Sequence, residues 1–442
     1  MNDKLKEMLD SLNLTKKKRD IIDSIINSDK NAFITGQAGS GKTYILDVLR
    51  RIYDGKCMVV APTGIAALNA GGVTIHRAFR LPIQPYKPMF IRGVTMSMLP
   101  SYPLTEEAID VLSNLEILII DEISMVRADL MDALNDALCW YKQNKEPFGG
   151  VRLIMVGDLY QLSPVTKEED WGVVKRYYES QYFFSSKAIK ISGYDTYFLD
   201  ESFRQTDDNF IELLDKVRVG NNSREVLDEL NEMYQPSFSR DDSDEFIVLT
   251  STNMEADSIN TSKLNKINSP ILTFKSSTSG KFDDKDAPYI PNLELKIGAK
   301  IMTIANDKND MYVNGTIGEL TGIERDEITG EEFLIMNHHI RIGRFRWEKI
   351  DYSSESDKGI VSQAVGWGEQ FPIKLAWAIT VHKSQGLTFD KVAIDLSRAF
   401  LHGQAYVALS RGRTLKNTVL TSRIAARHII CDDIISKLEN NQ

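Results

Sequence analysis

Residues Phe33 to Tyr44 read FITGQAGSGKTY, an apolar run that leads into a glycine-rich segment. The segment Gly36 to Thr43, GQAGSGKT, matches the Walker A pattern, and a helical pattern follows it. A strand, a glycine-rich loop and a helix in this order form the context in which that pattern binds phosphate. The alternative is a glycine-rich turn without a ligand, and the context disfavours it. The segment therefore predicts a P-loop nucleoside triphosphatase.

The loop supplies the groups that hold the phosphates and their counter-ion. Glycines at 36, 39 and 41 let the backbone amides approach the β-phosphate, and Lys42 neutralises the β and γ oxygens. Thr43 offers a hydroxyl to magnesium. The residues expected to bind ATP here are Gly36, Ala38, Gly39, Ser40, Gly41, Lys42 and Thr43.

Short apolar runs alternate with helical patterns in the first part of the chain. The runs lie at 32–35, 57–62, 115–121 and 151–158. Strands of this kind, separated by helices, are typical of a parallel sheet covered on both faces. A second series of strands and helices begins near 196, continues at 245–253 and resumes at 371–397. The pattern predicts an α/β protein with two such units.

Between the parts of the second unit, the sequence changes to short β-rich pieces with glycine-containing turns. Asn314-Gly315 between apolar runs is a hairpin signal. We therefore predict a small β domain inserted into the second unit. The expected division is 1–190 for the first unit, 191–263 with 371–442 for the second, and 264–370 for the insert.

Two acidic residues and a glutamine follow strands of the first unit. Asp121 and Glu122 end the run LEILIIDE, which places them at the carboxyl edge of the sheet near the phosphates. Asp121 is expected to hold magnesium, and Glu122 to orient or deprotonate the attacking water. Gln161 in GDLYQL ends the next strand and can contact the γ-phosphate and the water. An acidic turn after a strand is often structural, but the Walker A segment upstream favours the catalytic interpretation.

Two arginines of the second unit are candidates for the far side of the nucleotide. Arg204 lies in DESFRQ and Arg411 lies in ALSRGR. An arginine finger contributes about 10³ to 10⁵ in rate, so a finger supplied from a hinged unit makes hydrolysis depend on closure. For either arginine alone, a surface salt bridge is the simpler interpretation.

Two segments, 61–79 and 378–390, follow strands in the two units and carry small hydroxyl residues, histidines and cations. Such groups hold successive phosphates of a nucleic-acid strand, and Phe79 or Trp377 is placed to stack on bases. The polar candidates are Thr63, His76, Thr380, His382, Lys383 and Ser384. In the alternative interpretation, the two histidines are simply hydrogen-bonded polar residues at strand ends.

The composition narrows the class of protein and its compartment. A net charge of -9 argues against a domain that wraps nucleic acid by charge alone, although it leaves room for a narrow basic groove. The three cysteines, Cys57, Cys139 and Cys431, form no CxxC pair, which fits a reducing compartment. No signal peptide and no apolar run of membrane-spanning length is recognisable. A cytoplasmic protein is expected.

Seven motifs, in chain order, resemble those of the superfamily-1 helicases. They are GQAGSGKT, APTGIAALNAGGVTIH, IIDEISM, GDLYQLSPV, SFRQ, VHKSQGLTFD and YVALSRGR. Residues 125–165 are similar to the signature region of the PIF (petite integration frequency) family of DNA helicases, of bacterial or phage type. The resemblance extends over nearly the whole chain.

The resemblance implies an architecture and an activity. The architecture is two RecA-like domains with ATP and Mg²⁺ between them, a wedge element at about 77–100 and an SH3-like inserted β domain. The activity is ATP-driven 5′-to-3′ translocation on single-stranded DNA, with unwinding of duplexes, forks, RNA-DNA hybrids or G-quadruplexes. The family acts in replication, repair, recombination and telomere maintenance, which implies no membrane contact. The expected state is a monomer or a DNA-induced dimer.

The resemblance also assigns residues by position. The catalytic set that it implies is Lys42, Glu122, Gln161, Arg204 and Arg411, with Gly386 in the loop that links the nucleotide to the strand. The implied DNA contacts are Pro62, Thr63, His76, Phe79, Thr380, His382, Lys383 and Ser384. One departure concerns adenine, because Lys18 lies near the position of the family's adenine-reading glutamine and no glutamine precedes Gln37. Selectivity for ATP over other nucleotides is therefore in question.

Two other functions fit part of the pattern. A ring-forming ATPase that remodels proteins has the same phosphate chemistry, but the two arginines already present in the chain disfavour it. A nucleic-acid binder with an inactive nucleotide site is disfavoured because all the catalytic residue types are present. The motif set favours the helicase.

Overall fold

The computed structural model describes residues 8–12, 14–87, 105–164, 168–199, 207–238, 245–284, 287–307, 311–355, 358–399 and 401–440. These residues form two parallel sheets with flanking helices and a set of antiparallel strands. The predicted α/β class with P-loop parallel sheets is confirmed. Arg204 and much of the predicted wedge element lie outside the described residues.

The first sheet has six parallel strands. They are β1 Ala32–Gly36, β2 Cys57–Ala61, β3 Val73–Thr74, β4 Ile117–Ile120, β5 Arg152–Val156 and β6 Asp195–Leu199. Their order is β3-β2-β4-β5-β1-β6, with every neighbouring pair parallel. The sequence places the last strand in the second unit, but its pairing with β1 makes it the edge strand of the first sheet. An apolar run identifies a strand without identifying the sheet that it joins.

Helices cover both faces of this sheet. They are α1 Lys16–Ile26, α2 Lys42–Ile52, α3 Gly64–Asn69, α4 Ile75–Ala78, α5 Glu106–Asn114, α6 Ala128–Lys142, α7 Glu168–Val174 and α8 Lys187–Ser192. Successive residues of β1 illustrate the two-sided burial, because Phe33 and Ile34 belong to two different hydrophobic cores. The threonines at 15, 63, 74 and 105 each cap a helix by accepting a backbone hydrogen bond.

The second sheet has four parallel strands. They are β7 Ile247–Thr250, β18 Ala378–Thr380, β19 Val392–Ile394 and β20 Thr418–Leu420, in the order β18-β7-β19-β20. Its helices are α9 Asp208–Arg218, α10 Arg224–Glu232, α11 Asn253–Lys266, α12 Gln404–Leu409 and α13 Asp433–Asn440. A single 3-10 turn, His382–Ser384, follows β18. Of the helices in the described ranges, none is long and apolar enough to cross a bilayer.

The insert consists of antiparallel strands between β7 and β18. They are β8 Leu272–Lys275, β9 Ser277–Gly280, β10 Asn292–Leu295, β11 Lys300–Thr303, β12 Ile317–Arg325, β13 Glu332–Met336, β14 Ile340–Ile342, β15 Phe345–Glu355, β16 Gly359–Gln370 and β17 Ile373–Leu375. Five of them form a sheet in the order β14-β13-β12-β11-β17. β15 and β16 form a long hairpin, with β9 beside it. The domain limits and the SH3-like description of this insert stay predictions.

The hairpin of β15 and β16 contacts the first unit. The amide of Val59 in β2 donates to the hydroxyl oxygen of Tyr352 at 3.0 Å, and burial raises the pKa of that phenol to about 12. Arg77, just after β3, forms an ion pair of 3.0 Å with Asp351. We call this the docked arrangement of the insert.

Candidate nucleotide and strand-binding site

The loop between β1 and α2 has the shape that phosphate binding requires. Gly39 and Gly41 have φ values of +84° and +90°, a left-handed conformation that favours glycine. A Cβ on Gly36 would lie 2.2 Å from the carbonyl oxygen of Leu199, so the neighbouring strand excludes a side chain there. Ser40 is fully buried, and its hydroxyl has no hydrogen-bond partner among the described residues. A buried hydroxyl of this kind fits a site built around a polar ligand.

Lys42 occupies the first position of α2. Its ammonium donates to the carbonyl oxygens of Gly36 and Gln37 at 2.7 and 2.9 Å, which holds the charge over the loop. Thr43 follows on the helix and is exposed. A lysine at a helix N-terminus adds its charge to that of the unpaired amides, and both attract phosphate.

Asp121 and Glu122 come directly after β4. The Oδ1 of Asp121 accepts a hydrogen bond of 2.9 Å from the amide of Glu122. Burial raises the pKa of both carboxyls, and the nearby Lys42 ammonium acts in the opposite direction. The predicted phosphate lysine and the two predicted acidic residues are therefore electrostatic neighbours. The carboxylate of Asp121 and the hydroxyl of Thr43 are the oxygen ligands that Mg²⁺ prefers.

A glutamine that the sequence analysis does not single out joins the two units. The amide nitrogen of Gln385 donates to Oε2 of Glu122 at 3.0 Å and to Oε1 of Gln161 at 3.1 Å. Gln161 is itself buried, and its amide nitrogen donates to Asp158 at 3.2 Å. Two predicted catalytic residues thus contact the same side chain of the second unit. The only sequence signal for it is its place in the motif VHKSQG.

Arg411 is fully buried between α12 and the segment that contains Gln385. Its Nε donates to the carbonyl oxygen of Val407 at 2.7 Å. Its Nη1 donates to the carbonyl oxygens of Ser384 and Leu387 at 3.2 and 3.0 Å. In this arrangement the predicted arginine finger braces the backbone on both sides of Gln385. Its contact with a phosphate stays a prediction that requires these hydrogen bonds to break.

The predicted DNA contacts of the first unit are only partly exposed. Thr63 is exposed and caps α3, and Pro62 beside it is partly buried. His76 is half-buried, and burial, with the charge of Arg127, lowers the pKa of its imidazole. Phe79 has no exposed surface and lies in the main hydrophobic core. Its predicted stacking on a base is therefore wrong for this arrangement, because the ring packs inside the unit.

Of the predicted DNA contacts of the second unit, some are also exposed and others are buried. Lys383 is exposed and His382 is half-buried, and burial lowers the pKa of the His382 imidazole. Thr380 and Ser384 are buried, and their hydroxyls bond to the backbone of Lys383 and Val381. In this arrangement these two hydroxyls shape the turn and do not face a strand.

Gly386 and Trp377 lie on either side of the turn 382–384 in the chain. Gly386 is exposed and has a φ of +81°. Trp377 is 3% exposed and belongs to the core that the second sheet shares with the insert, so it offers no stacking surface here.

Both the sequence and the fold match known helicases. The model of the family described as PIF1-like helicase matches residues 13–227. The ATP-dependent DNA helicase Pif1 of Bdellovibrio bacteriovorus is 33% identical over 400 residues, which cover 89% of this chain and 84% of that protein. A crystal structure of Bacteroides sp Pif1 with ADP-AlF4 matches with a TM-score of 0.87 at 37% identity, covering 98% of this chain and 97% of that one. The chain belongs to the PIF1-like helicase family.

A longer member of the PIF1-like family shares the same region. The human ATP-dependent DNA helicase PIF1 is 33% identical over 405 residues, which cover 88% of this chain. The match spans 57% of the human protein. This chain therefore corresponds to little more than half the length of that relative.

This PIF1-like helicase resembles one form of the Bacteroides protein more than another. The unliganded form matches with a TM-score of 0.86 at 37% identity, covering 97% of each chain. The form bound to ssDNA matches with a TM-score of 0.67 at 36% identity, covering 98% of this chain and 97% of that one. Identity and coverage are nearly equal in the two comparisons, so the scores differ although nearly the same part of the chain is matched.

Further contacts across the cleft of this PIF1-like helicase are not apparent from the sequence. Gln37 in the phosphate loop donates to the carboxylate of Asp215 in α9 at 2.5 Å. The amide of Ala38 donates to the hydroxyl oxygen of Tyr406 in α12 at 3.3 Å, and burial raises the pKa of this phenol to about 12. Two residues of the phosphate loop, of which Ala38 is predicted to bind the nucleotide, thus also contact the second unit. Because of these hydrogen bonds, the position of the phosphate loop depends on the position of the second unit.

Asp158, after β5, is another point of contact between the two units. Arg218 at the end of α9 donates to its carboxylate at 3.2 Å and lies over the ring of Tyr160, 4.1 Å from the ring centre. Asp158 is almost completely buried and also accepts from the Gln161 amide. The second unit therefore reaches the predicted catalytic glutamine through two routes, one through this aspartate and one through Gln385.

Lys18 lies against the phosphate loop. It is 7% exposed, and a Cβ on Gly41 would lie 2.8 Å from its Nζ. The residue at the predicted adenine-reading position is thus close to the nucleotide loop but carries an ammonium in place of an amide. An ammonium only donates hydrogen bonds, whereas a glutamine amide both donates and accepts.

Proposed function

We propose that this PIF1-like helicase hydrolyses ATP in the cleft between its two parallel sheets and uses the cycle to translocate 5′ to 3′ along single-stranded DNA. It unwinds the duplex or structured DNA ahead of it. The observation that carries the proposal is the joint contact of Gln385, next to the predicted strand-binding turn, with Glu122 and Gln161 at the phosphate site. Such a contact makes nucleotide chemistry and strand binding dependent on each other.

In this proposal, the first unit supplies the chemistry of hydrolysis. Lys42 and the amides of the loop stabilise the charge on the β- and γ-phosphates. Thr43 and Asp121 would hold Mg²⁺, which would neutralise the remaining negative charge of the phosphates. Glu122 orients or deprotonates the attacking water, and Gln161 aligns it with the γ-phosphate. The proximity of Lys42 to both carboxyls supports this assignment.

The second unit supplies the response to the nucleotide. Its cations, Arg204 and Arg411, would complete the charge around the transition state when the units close. Closure has to release the Arg411 donors from the carbonyl groups of Ser384 and Leu387. The release moves the backbone of the predicted strand-binding turn, so that ATP hydrolysis is coupled to movement along DNA.

The DNA path crosses the exposed parts of both predicted segments, Thr63 and His76 in the first unit and His382 and Lys383 in the second. The relatives support this ligand, because one solved structure shows Bacteroides Pif1 bound to ssDNA and another concerns DNA unwinding at forked dsDNA by two coordinating Pif1 helicases. Fork DNA is therefore the first duplex substrate to test, with a monomer or a DNA-induced pair as the active species.

The proposal is tested with tailed duplexes of one sequence. With ATP and Mg²⁺, a duplex with a 5′ single-stranded tail should be unwound, and the matching duplex with a 3′ tail should not. Unwinding of both or only of the 3′-tailed duplex contradicts the direction. ATP hydrolysis without unwinding of any tailed or forked duplex contradicts the helicase activity itself.

A further inference from the structure

Gln385 occupies an unusual position, because one amide nitrogen contacts the two side chains that are proposed to hold the attacking water. Its distances are 3.0 Å to Oε2 of Glu122 and 3.1 Å to Oε1 of Gln161. A water molecule activated by this pair needs the same two contacts at hydrogen-bonding distance. The amide and the attacking water therefore compete for one position.

The surrounding contacts fix the amide in this position. Gln161 is oriented by the hydrogen bond that its own nitrogen donates to Asp158, so its oxygen faces Gln385. On the other side, the Arg411 guanidinium holds the carbonyl groups of Ser384 and Leu387, which flank Gln385 in the chain. The side chain and its backbone are thus both held, from different units.

The segment also has the means to move. Gly386 directly follows Gln385 and has a φ of +81°, and a Cβ there would meet no atom within 4 Å. Glycine is therefore required at this position by its backbone conformation and not by crowding. A residue of this kind between two held segments is a suitable hinge. On the other side of Gln385, two positions before it, Lys383 is exposed and available to a DNA phosphate.

We propose that Gln385 is a positioning residue that makes ATP hydrolysis depend on DNA: its amide blocks the place of the attacking water until a strand bound at His382 and Lys383 turns the segment and withdraws it. The inference rests on the proposed function, because it takes Glu122 and Gln161 as the residues that hold the water. It adds a residue and a physical cause for strand-dependent hydrolysis. No bond is made or broken by Gln385 itself.

The test compares Gln385→Ala with the unchanged protein in a steady-state ATPase assay, with and without a saturating single-stranded oligonucleotide. Without DNA, the variant should turn over about tenfold faster, the order of effect expected from losing a pair of hydrogen bonds. Its KM for ATP should not change, because the amide does not contact the phosphate loop. With DNA, its kcat should equal that of the unchanged protein, so the ratio between the two conditions falls.

Two further variants make the result decisive. Gln385→Met keeps the length of the side chain but donates no hydrogen bond. It should show the same faster rate without DNA, and it tests the proposal even if the small alanine side chain of Gln385→Ala disturbs the fold. Gln363→Ala removes an exposed glutamine of the insert and should change neither rate. A rate without DNA that is unchanged or lower in both Gln385 variants overturns the inference. Failure of the proposed function is a separate result, namely no stimulation by DNA in the unchanged protein.

Discussion

The two parallel sheets contribute to the candidate site in different ways. The first sheet brings Lys42, Asp121 and Glu122 together with contacts made inside one unit. The second sheet contributes groups whose polar atoms are engaged by its own backbone, as with Arg411 and Ser384. The difference indicates that the predicted phosphate site is preformed in this arrangement, whereas the proposed role of Arg411 requires the second unit to rearrange.

The predicted strand-binding segments of the two units each contain both buried and exposed residues. In the first unit Phe79 is buried, and in the second unit Thr380 and Ser384 are buried, while Thr63 and Lys383 are exposed. In this structure, each unit therefore exposes only a few of the predicted DNA-binding groups. The remaining predicted contacts become available only if the loops move, which fits a protein that binds its substrate in more than one arrangement.

A substitution in the predicted phosphate site of the first unit should have the largest effect on unwinding. Lys42→Ala removes the ammonium that lies over the phosphate loop, so ATP-driven unwinding should fall by about 10³-fold or more. Binding of single-stranded DNA, measured by fluorescence anisotropy, should be nearly unchanged because no predicted DNA contact is altered. The matched control is Lys56→Ala, which removes an exposed lysine paired with Glu116. Unwinding that survives Lys42→Ala would remove the P-loop from the mechanism.

Arg411 tests whether the second unit completes the site. Arg411→Ala should bind ATP but hydrolyse it about 10²-fold more slowly or worse if the side chain reaches the transition state after closure. Its melting temperature should also fall, because four backbone or hydroxyl groups lose a buried donor. The control is Arg398→Ala at an exposed position. A lower melting temperature with a normal turnover rate would show that Arg411 only braces the turn.

Lys383 tests the exposed part of the second unit. Lys383→Ala should weaken binding to single-stranded DNA by about tenfold at moderate salt, and it should reduce the slope of log K against log salt by about 1. Lys416→Ala, at another exposed position of the same unit, is the control and should leave both quantities unchanged. An unchanged salt slope in Lys383→Ala would place the DNA path elsewhere.

Substitution of Lys18 should have the smallest effect, because it changes the selectivity between nucleotides and not the phosphate chemistry. Lys18→Gln restores an amide that both donates and accepts, so the ratio of kcat/KM for ATP over GTP should rise about fivefold, at the low end of one base-reading pair. Lys16→Gln, an exposed neighbour on the same helix, should leave the ratio unchanged. Equal ratios in Lys18→Gln and the unchanged protein would place the base away from this side chain.

Local patterns in the sequence predict the nucleotide side of the site, and the structure places the predicted residues Lys42, Asp121 and Glu122 close together. The glycines of the loop, Lys42 and the pair Asp121–Glu122 follow strands at fixed spacing, and a parallel sheet brings the carboxyl ends of its strands to one edge. The predictions for Phe79 and Ser384 fail in this arrangement for a different reason. Whether a residue near a strand end is buried depends on the elements packed over it, which spacing does not specify.

The contacts across the cleft cannot be predicted from the sequence, for a related reason. Gln385 is 263 residues from Glu122, and Tyr406 is 368 residues from Ala38. Pairs this distant in the chain meet only because of how two complete units pack together. The strand β6 illustrates the same limit, because its apolar pattern predicts a strand but not the sheet that it joins.

The most direct test of the account is the steady-state ATPase rate with and without a single-stranded oligonucleotide, at low and at moderate salt. The account predicts a large stimulation that decreases as salt rises, because DNA phosphates bound at the exposed cations release the second unit onto the phosphate site. A rate that is the same with and without DNA would show that strand binding in one unit does not control hydrolysis in the other.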